Sequence, residues 1–184
     1  MSNGKSKNIE DIKVGEIVIA YDENKKQFVS KLVTKSYVHH NTPTMVKLTF
    51  NTGKILELTP GHPLYSTNGW KSLDLENSLY EHGTIATLLN IGDIIIGINN
   101  NDIITNIEYL NIGLNYDSYN IEVEKCHTFL ANGFVAHNMK MNYTGQNNSS
   151  ILHYASGKEG HMAVTGELGP ELTIRSNGSV DMLG

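Results

Sequence analysis

Residues 130–139 read LANGFVAHNM, so an apolar run ends on a histidine and an asparagine although more than forty residues follow. The side-chain amide nitrogen of an asparagine can attack its own carbonyl carbon, close a succinimide ring and release the next residue as a free amine. Useful rates require a fixed rotamer, a stabilised oxyanion and a proton for the leaving amine. His137 is adjacent and His127 opens the preceding strand, and both imidazoles can exchange protons near neutral pH. The pattern predicts cleavage between Asn138 and Met139.

A second group of reactive side chains lies at residues 58–65, LTPGHPLY, where Thr59 and His62 have Thr-x-x-His spacing across a Pro-Gly turn. Such a turn can bring hydroxyl and imidazole to one side, where they could polarise a second amide bond. The alternative is an ordinary turn or core histidine. The other five histidines receive no role; they are His39, His40, His82, His153 and His161.

The composition limits the classes of function. The 184 residues suffice for one domain and a tail. The net charge is −5, and scattered lysines give no basic stripe for nucleic acid. A single cysteine excludes an internal disulfide and favours a reducing compartment, and no apolar run is long enough to cross a membrane. We predict a cytoplasmic protein without metal or other cofactor, because no tight His/Cys/carboxylate cluster is present.

Short segments rich in Val, Ile, Thr and Tyr, broken by Asn-Gly, Thr-Gly and Pro-Gly pairs, predict a mostly β fold. The sequence NTGK at 51–54 predicts a hairpin turn. The segment 72–80, SLDLENSLY, predicts one helical turn or a short connection. The predicted strands are 16–21, 28–38, 44–50, 53–59, 84–88, 93–98, 103–110, 118–124, 127–130 and 133–136.

The chain also contains an internal repeat. IKVGEIVIAYD at 12–22 is echoed by LNIGDIIIGIN at 89–99, and HPLYSTNGW at 62–70 is echoed by HTFLANGF at 127–134. Chance is one explanation, because apolar-Gly-acid and Asn-Gly are common at strand ends. The other is two β subunits related by a pseudo-two-fold axis, with their equivalent histidines close to that axis.

Three blocks, IEDIKVGE, LTPGHPLY and YNIEVEKCHTFLANGFVAHN, together resemble the Hint superfamily, which includes inteins, bacterial intein-like domains and hedgehog autoprocessing domains. The resemblance covers roughly residues 8–138. It implies an all-β, compact, horseshoe-like Hint (intein) fold with pseudo-two-fold symmetry. It also implies single-turnover autocatalytic peptide-bond cleavage and protein splicing, not a turnover enzyme.

By position, the resemblance implies that Thr59 and His62 activate the upstream scissile amide and that His127 assists both cleavages. It makes His137 the penultimate histidine and Asn138 the cyclising asparagine.

The same comparison bears on two further positions. Asn120 stands where inteins commonly have an aspartate, which puts an acid function there in doubt. Cys126, directly before His127, is a candidate nucleophile, but a packing or tuning role is favoured because half-buried cysteines are ordinarily inert.

The beginning of the chain departs from the intein pattern. Only eight residues precede Ile9, so the nucleophile and first strand are expected to come from a separate chain, and residues 3–5 resemble the end of the turn after that strand. Ser2 lies too close to Ile9 to be the nucleophile. We therefore predict the C-terminal fragment of a split mini-intein, whose partner is a short N-terminal intein fragment that supplies Cys or Ser by strand addition.

The second departure is Met139, since a thioether cannot accept an acyl group as a thiol or hydroxyl does. Cleavage without ligation, as in some intein-like domains, stays open. We divide the chain into a Hint domain at 1–138 and a C-terminal flank at 139–184. The flank resembles part of phage tail tape-measure proteins and predicts one hairpin around Asn177–Gly178.

Other interpretations remain open. The chain could be an inactive Hint-like structural module of a phage tail protein, or a binding module whose sheet edge captures a peptide. Residues 71–83 leave about 13 positions between the halves, too few for a homing endonuclease.

Overall fold

The computed structural model describes residues 6–42, 44–111 and 116–138, together with 162–164, 171–174 and 180–183. The chain divides into two compact units, Met1–Asn142 and Tyr143–Gly184. The first unit contains a 3-10 helix at Ile9–Asp11 and one α-helix, α1, at Leu75–His82. Its strands are β1 (Ile17–Asp22), β2 (Gln27–His39), β3 (Thr44–Phe50), β4 (Ile55–Leu58), β5 (Leu64–Ser66), β6 (Gly69–Ser72), β7 (Thr87–Leu88), β8 (Ile94–Ile95), β9 (Asp102–Asn111), β10 (Ser118–Val123), β11 (Thr128–Ala131) and β12 (Phe134–His137).

The predicted all-β class is confirmed, and most predicted strands agree with observed ones within a few residues. The turn at 51–54 joins β3 to β4 as an antiparallel hairpin. Three predicted strands were too long, because β4, β7 and β8 have only two to four residues. The hairpin β5–β6 was missing from the predicted strands because its arms have only three and four residues.

The internal repeat corresponds to two turns with the same hydrogen bonds. Gly15 has φ 92° and Gly92 has φ 95°, a left-handed conformation that glycine adopts without strain. In each turn the backbone N–H three residues before the acid donates to its carboxylate, at 2.9 Å for Glu16 and 2.8 Å for Asp93. The repeated glycine and acid thus encode the same entry into β1 and β8.

Strand pairing between the two halves has pseudo-two-fold symmetry. If β1, β2 and β3 correspond to β8, β9 and β10, the pairs β1–β2 and β2–β10 have the counterparts β8–β9 and β9–β3, all antiparallel. Each half therefore pairs a strand with the other half. The hairpins β5–β6 and β11–β12, which follow His62 and His127 in sequence, meet where Leu64 pairs with Ala136.

The core lies between these sheets and is built from aliphatic side chains around one stacked aromatic pair. The rings of Phe50 and Phe134 lie 4.0 Å apart at an interplanar angle of 18°, and both residues are buried. Burial of two aromatic side chains makes a large contribution to the stability of such a core. This packing supports β12, whose last residue precedes Asn138.

Helix α1 corrects the expectation of a single helical turn or short connection at 72–80. The Asp74 carboxylate accepts the backbone N–H of Asn77 at the start of the helix, and Gly83 ends it in a left-handed conformation with φ 63°. These are favourable N-cap and C-terminal residues for a helix. The segment therefore forms a capped helix of eight residues.

The inner face of α1 is polar. Ser78 and His82 are its buried residues, whereas Leu75 and Leu79 are 44% and 48% exposed. The helix packs closely on the Pro-Gly turn, because a Cβ on Gly61 would lie 2.7 Å from Cβ of Asn77. Glycine at that position permits the contact that brings His82 inward.

Among the described strands, none pairs with the outer edges of β4, β10 and β11. Residues of all three strands and of α1 line an open groove of about 1420 Å³. Unpaired edges expose backbone donors and acceptors that can pair with another strand.

In the second unit, β13 (Met162–Val164), β14 (Glu171–Ile174) and β15 (Val180–Leu183) form an antiparallel sheet. The pairing of β14 with β15 agrees with the predicted hairpin, whose turn residues lie outside the described part. No helix in the described residues is long and apolar enough to cross a membrane.

Candidate functional site

Asn138 follows β12 and is completely buried, with 0% of its surface exposed. Its backbone N–H donates to the His127 carbonyl at 2.8 Å. With the side-chain amide oriented so that both polar atoms are paired, its nitrogen donates to the same carbonyl at 3.1 Å and its oxygen accepts the Val123 N–H at 2.8 Å. The side chain of the predicted cyclising residue is therefore held in one position.

The backbone carbonyl of Asn138 is contacted by two imidazoles. The oxygen lies 2.6 Å from Nδ1 of His137 and 3.1 Å from Nδ1 of His82. A carbonyl oxygen can only accept, so each Nδ1 must carry the hydrogen when these bonds form. This carbonyl belongs to the predicted scissile peptide, and two donors at such an oxygen stabilise negative charge that develops on it.

Four histidine rings form a continuous row through the site. The centroids of His62 and His82 are 4.7 Å apart, those of His82 and His137 are 5.8 Å apart, and those of His137 and His127 are 6.4 Å apart. His82 thus lies between the histidine of the Thr-x-x-His turn and the histidine next to Asn138.

Burial strongly affects two of these rings. It lowers the pKa of His62 well below 6.5, and the nearby His82 and His137 lower it further, while a hydrogen bond with the His137 backbone partly offsets the effect. Burial also lowers the pKa of His82 to about 4, with partial compensation from the Asn138 carbonyl and a small further decrease from His39. Both rings are therefore neutral at neutral pH.

These pKa shifts predict acid destabilisation. The unfolded chain binds protons at these histidines near pH 6.5, whereas the folded chain resists protonation, so the free energy of unfolding should fall as the pH decreases from about 6.5 to about 4. His82 alone should account for about 3 kcal/mol at the acid end, from the ~1.4 kcal/mol per pKa unit. Urea unfolding across this range measures the change. A His82→Leu variant should show a shallower dependence; an identical dependence would contradict the prediction.

The hydrogen bonds between His127 and Asn138 involve the backbone of His127. Its carbonyl accepts both hydrogen bonds from Asn138, and its buried Nδ1 has no hydrogen-bond partner in the described part of the chain. The residue has φ 53°, a conformation that costs energy for a side chain of this kind. The geometry gives His127 a positioning contact, and the predicted role of its imidazole stays a prediction.

Thr59, His62 and Asn120 line the groove. The His62 N–H donates to the Thr59 carbonyl at 3.0 Å, which closes the predicted turn, and Nε2 of His62 is buried without a hydrogen-bond partner in the described region. The side-chain oxygen of Asn120 accepts the N–H of Ile121 at 2.8 Å. The structure thus brings the predicted upstream residues to one surface, next to α1.

Cys126 is half-buried and packs against the hydrophobic core. Burial raises the pKa of its thiol. A raised pKa decreases the fraction of reactive thiolate at neutral pH, which disfavours a nucleophile at this position.

Some predicted features fall on residues without a described structure. Met139, Ser2 and residues 3–5 lie outside the described residues. In the described residues, no group of three or more His, Cys, Asp or Glu side chains is arranged to hold a metal ion.

His82 is the site residue to which the sequence assigned no role. It contacts Asn138 from 56 residues away in sequence, so local spacing gave no indication of the contact. A usable signal was the Asp74 to Gly83 segment, which begins and ends with helix-capping residues and places His82 in the last turn.

Similarity to known proteins is found among solved structures. No family profile matches the chain, and no curated protein matches it. A DnaB intein from Synechocystis is 21% identical with a TM-score of 0.57, covering 74% of this chain and 89% of that one. A bacterial intein-like domain from Clostridium thermocellum is 24% identical with a TM-score of 0.56, covering 71% and 86%. The gp41-1 intein is 22% identical with a TM-score of 0.54, covering 72% and 87%.

These likenesses cover most of each solved structure. The chain therefore has the all-β Hint fold of inteins and bacterial intein-like domains.

Proposed function

We propose that this chain is an autoprocessing intein domain, the larger C-terminal fragment of a split intein, which cleaves the bond between Asn138 and Met139 by asparagine cyclisation. The observation that carries the proposal is the environment of Asn138. Its side-chain amide is fixed by Val123 and His127, and its carbonyl accepts a 2.6 Å hydrogen bond from His137. A fixed rotamer and a stabilised oxyanion are two of the three requirements for cleavage by asparagine cyclisation.

In the proposed step, the side-chain nitrogen of Asn138 bonds to its own carbonyl carbon and gives up a proton. The bond from that carbon to the nitrogen of Met139 breaks, and this nitrogen leaves as an amine after gaining a proton. The products are residues 1–138 with a C-terminal succinimide and residues 139–184 with a free amine. No group is oxidised or reduced, and no water is consumed.

The groove is consistent with a partner chain that binds by adding a strand to one of the sheets. It is lined by Thr59, by His62 and by residues of β4, β10 and β11, each of which has an unpaired edge among the described strands. A short N-terminal intein fragment bound there would place its Cys or Ser beside these side chains, and the unpartnered Nε2 of His62 could bond to its scissile amide. The resemblance of residues 139–184 to tape-measure proteins suggests a phage or prophage host protein.

Strand addition makes a prediction for hydrogen exchange. A synthetic N-terminal intein fragment that begins with cysteine should increase amide protection in β4 and β10, because their outer edges gain hydrogen-bond partners. Protection in β3 and β9, which are already paired on both sides, serves as the internal control. Equal protection with and without a fragment that binds would contradict strand addition.

A second candidate is autocleavage without ligation. Met139 favours it, because its thioether cannot take over an acyl group from an upstream segment. The likeness to the intein-like domain from Clostridium thermocellum is as strong as that to the inteins. If the split-intein proposal is correct, replacing Met139 with cysteine should permit ligation. Under the second candidate, the same variant should cleave but not ligate.

The proposal is tested by the intact mass of the full chain over time, alone and with the same N-terminal fragment. We expect products that correspond to residues 1–138 and 139–184, the first lighter by one water than a hydrolysis product. A chain that stays whole under both conditions would favour an inactive structural module of a phage tail. Binding of the fragment without any change in covalent mass would favour a peptide-binding module.

A further inference from the structure

Helix α1 follows the β5–β6 hairpin and directs one titratable side chain into the site. His82 is 1% exposed, and its Nδ1 lies 3.1 Å from the carbonyl oxygen of Asn138. We propose that His82 is a catalytic residue of the C-terminal cleavage, which supplies the second hydrogen bond to the oxyanion formed at Asn138. The inference rests on the proposed function and adds to it a residue outside the blocks that resemble inteins.

The position of His82 is determined by contacts at both ends of α1. At the beginning, the carbonyl of Pro60 accepts hydrogen bonds from the N–H groups of Leu73 and Asp74, at 3.1 Å each, and from the Ser72 hydroxyl at 3.0 Å. The same proline belongs to the Thr59–His62 turn, so the helix and that turn form one unit. A donor held in this way needs little reorganisation when charge develops on the carbonyl.

At the other end of α1, the ring of His82 packs between two other imidazoles. It makes edge contacts with His62 at 4.7 Å and with His137 at 5.8 Å between centroids. The hydroxyl of Ser78, one turn earlier, donates to the Thr84 carbonyl at 3.1 Å and so links the inner face of the helix to the segment that follows it. These contacts leave Nδ1 directed at Asn138.

The ring can act as a neutral donor. The titratable groups that face it are His62, His137, His39 and Glu81, whose carboxylate is 4.0 Å from Nε2. Burial holds the pKa of His82 at about 4, so at neutral pH its single ring hydrogen can remain on Nδ1, where the carbonyl accepts it. His82 therefore stabilises the oxyanion without transferring its proton, and the leaving amine receives its proton from another group.

The two donors act on the same oxygen during the reaction. As the side-chain nitrogen of Asn138 attacks, the carbonyl oxygen gains negative charge and both Nδ1–H hydrogen bonds strengthen. When the carbon–nitrogen bond to Met139 breaks, the carbonyl reforms and both imidazoles keep their protons. Because the stabilisation is greatest in the transition state, loss of one donor should decrease the rate constant of cleavage.

Three substitutions separate the hydrogen bond from the packing of the ring. In His82→Asn the amide nitrogen takes nearly the position of Nδ1. In His82→Gln the amide nitrogen lies near the position of Nε2, and His82→Leu has no donor. We expect cleavage about 10²-fold slower than in the natural chain for His82→Leu and His82→Gln, within the range for removal of one oxyanion donor, and less than about 10-fold slower for His82→Asn. Thermal unfolding of each variant checks that the fold is retained.

A second readout is independent of cleavage. In an Asn138→Ala background the backbone carbonyl at position 138 is retained but cyclisation is impossible, so the ¹³C shift of that carbonyl reports the contact alone. We expect the shift to be similar with His82 intact and with His82→Asn, and to move upfield with His82→Leu and His82→Gln. ¹⁵N shifts should show the hydrogen on Nδ1 of His82 at neutral pH.

The outcomes separate the two proposals. If the natural chain cleaves and the three His82 variants cleave at rates similar to one another, the proposed role of His82 is contradicted and the proposed function stands. A hydrogen located on Nε2 of His82, or a carbonyl shift that is the same in all forms, also overturns it. If the natural chain does not cleave at all, the proposed function fails, and the catalytic role of His82 fails with it.

Discussion

Replacement of Asn138 by alanine is expected to abolish the release of residues 139–184. Alanine lacks the side-chain nitrogen that attacks the carbonyl in the proposed step, so the rate should fall to that of uncatalysed peptide hydrolysis, below detection over days. The two side-chain hydrogen bonds to Val123 and His127 are lost together with the nucleophile. Intact mass measured over time gives the rates directly.

Two other variants isolate the nucleophile. Asn138→Gln keeps an amide, but its longer side chain would have to close a six-membered ring and would not fit the same hydrogen bonds, so it should also be inactive. Asn106→Ala removes an exposed asparagine on β9 and should cleave at the natural rate. Cleavage of Asn138→Ala at more than about one hundredth of the natural rate would refute cyclisation, because 10²-fold is a small loss for removal of a nucleophile.

The repeated turns show which parts of the fold can be predicted from sequence. Gly15 and Gly92 are required by a left-handed backbone, and Glu16 and Asp93 bond to the N–H three residues earlier. All of these requirements are local, so the same short pattern recurs in the sequence wherever the turn recurs. The Asn-Gly turns before Phe134 and Trp70 are local in the same way.

Short strands are harder to predict. Each arm of β5–β6 has three or four residues, too few to show alternation of buried and exposed side chains, and β5 also pairs with β8 and β12, which are distant in sequence. The same is true of β7 and β8, which have two residues each.

Helix α1 is the element for which hydrophobic periodicity gives the wrong face. Leu75 and Leu79 are spaced as an apolar stripe, but Ser78 and His82 are the buried residues. The buried side chains are polar because they bond to a carbonyl at 84 and to the carbonyl of Asn138. These partners are brought together by the tertiary fold, which explains why the sequence alone did not place His82 in the site.

The second large effect is expected at His137. Its Nδ1 lies 2.6 Å from the Asn138 carbonyl oxygen, closer than Nδ1 of His82 at 3.1 Å, so its removal should cost more. His137→Phe keeps a ring against Trp70, whose centroid is 4.9 Å away, but has no donor. We expect cleavage to slow about 10³-fold, at the upper end for loss of one oxyanion donor. Intact mass over time measures the rate constant.

The matched variant is His137→Asn, whose amide nitrogen can occupy nearly the position of Nδ1. It should recover at least about 10-fold of the rate lost in His137→Phe, although it lacks the ring. Asn106→Ala, the exposed control on β9, should have no effect on cleavage. If His137→Asn and His137→Phe are equally slow, the ring of His137 acts by packing or by proton transfer, and its hydrogen bond to the carbonyl is not important.

Because both imidazoles bond to one oxygen, the effects of removing them should not be independent. If the two donors share the developing charge, each single variant still has one donor that can move closer to the oxygen. The fold loss of the cleavage rate constant in the double variant His82→Leu/His137→Phe should therefore exceed the product of the two single fold losses. Residues that share a partner give non-additive effects of either sign, so the double variant measures the coupling between the two donors. A double variant whose rate loss equals the product of the single losses would mean that the two histidines act at separate points of the reaction, in contradiction to a shared oxyanion site.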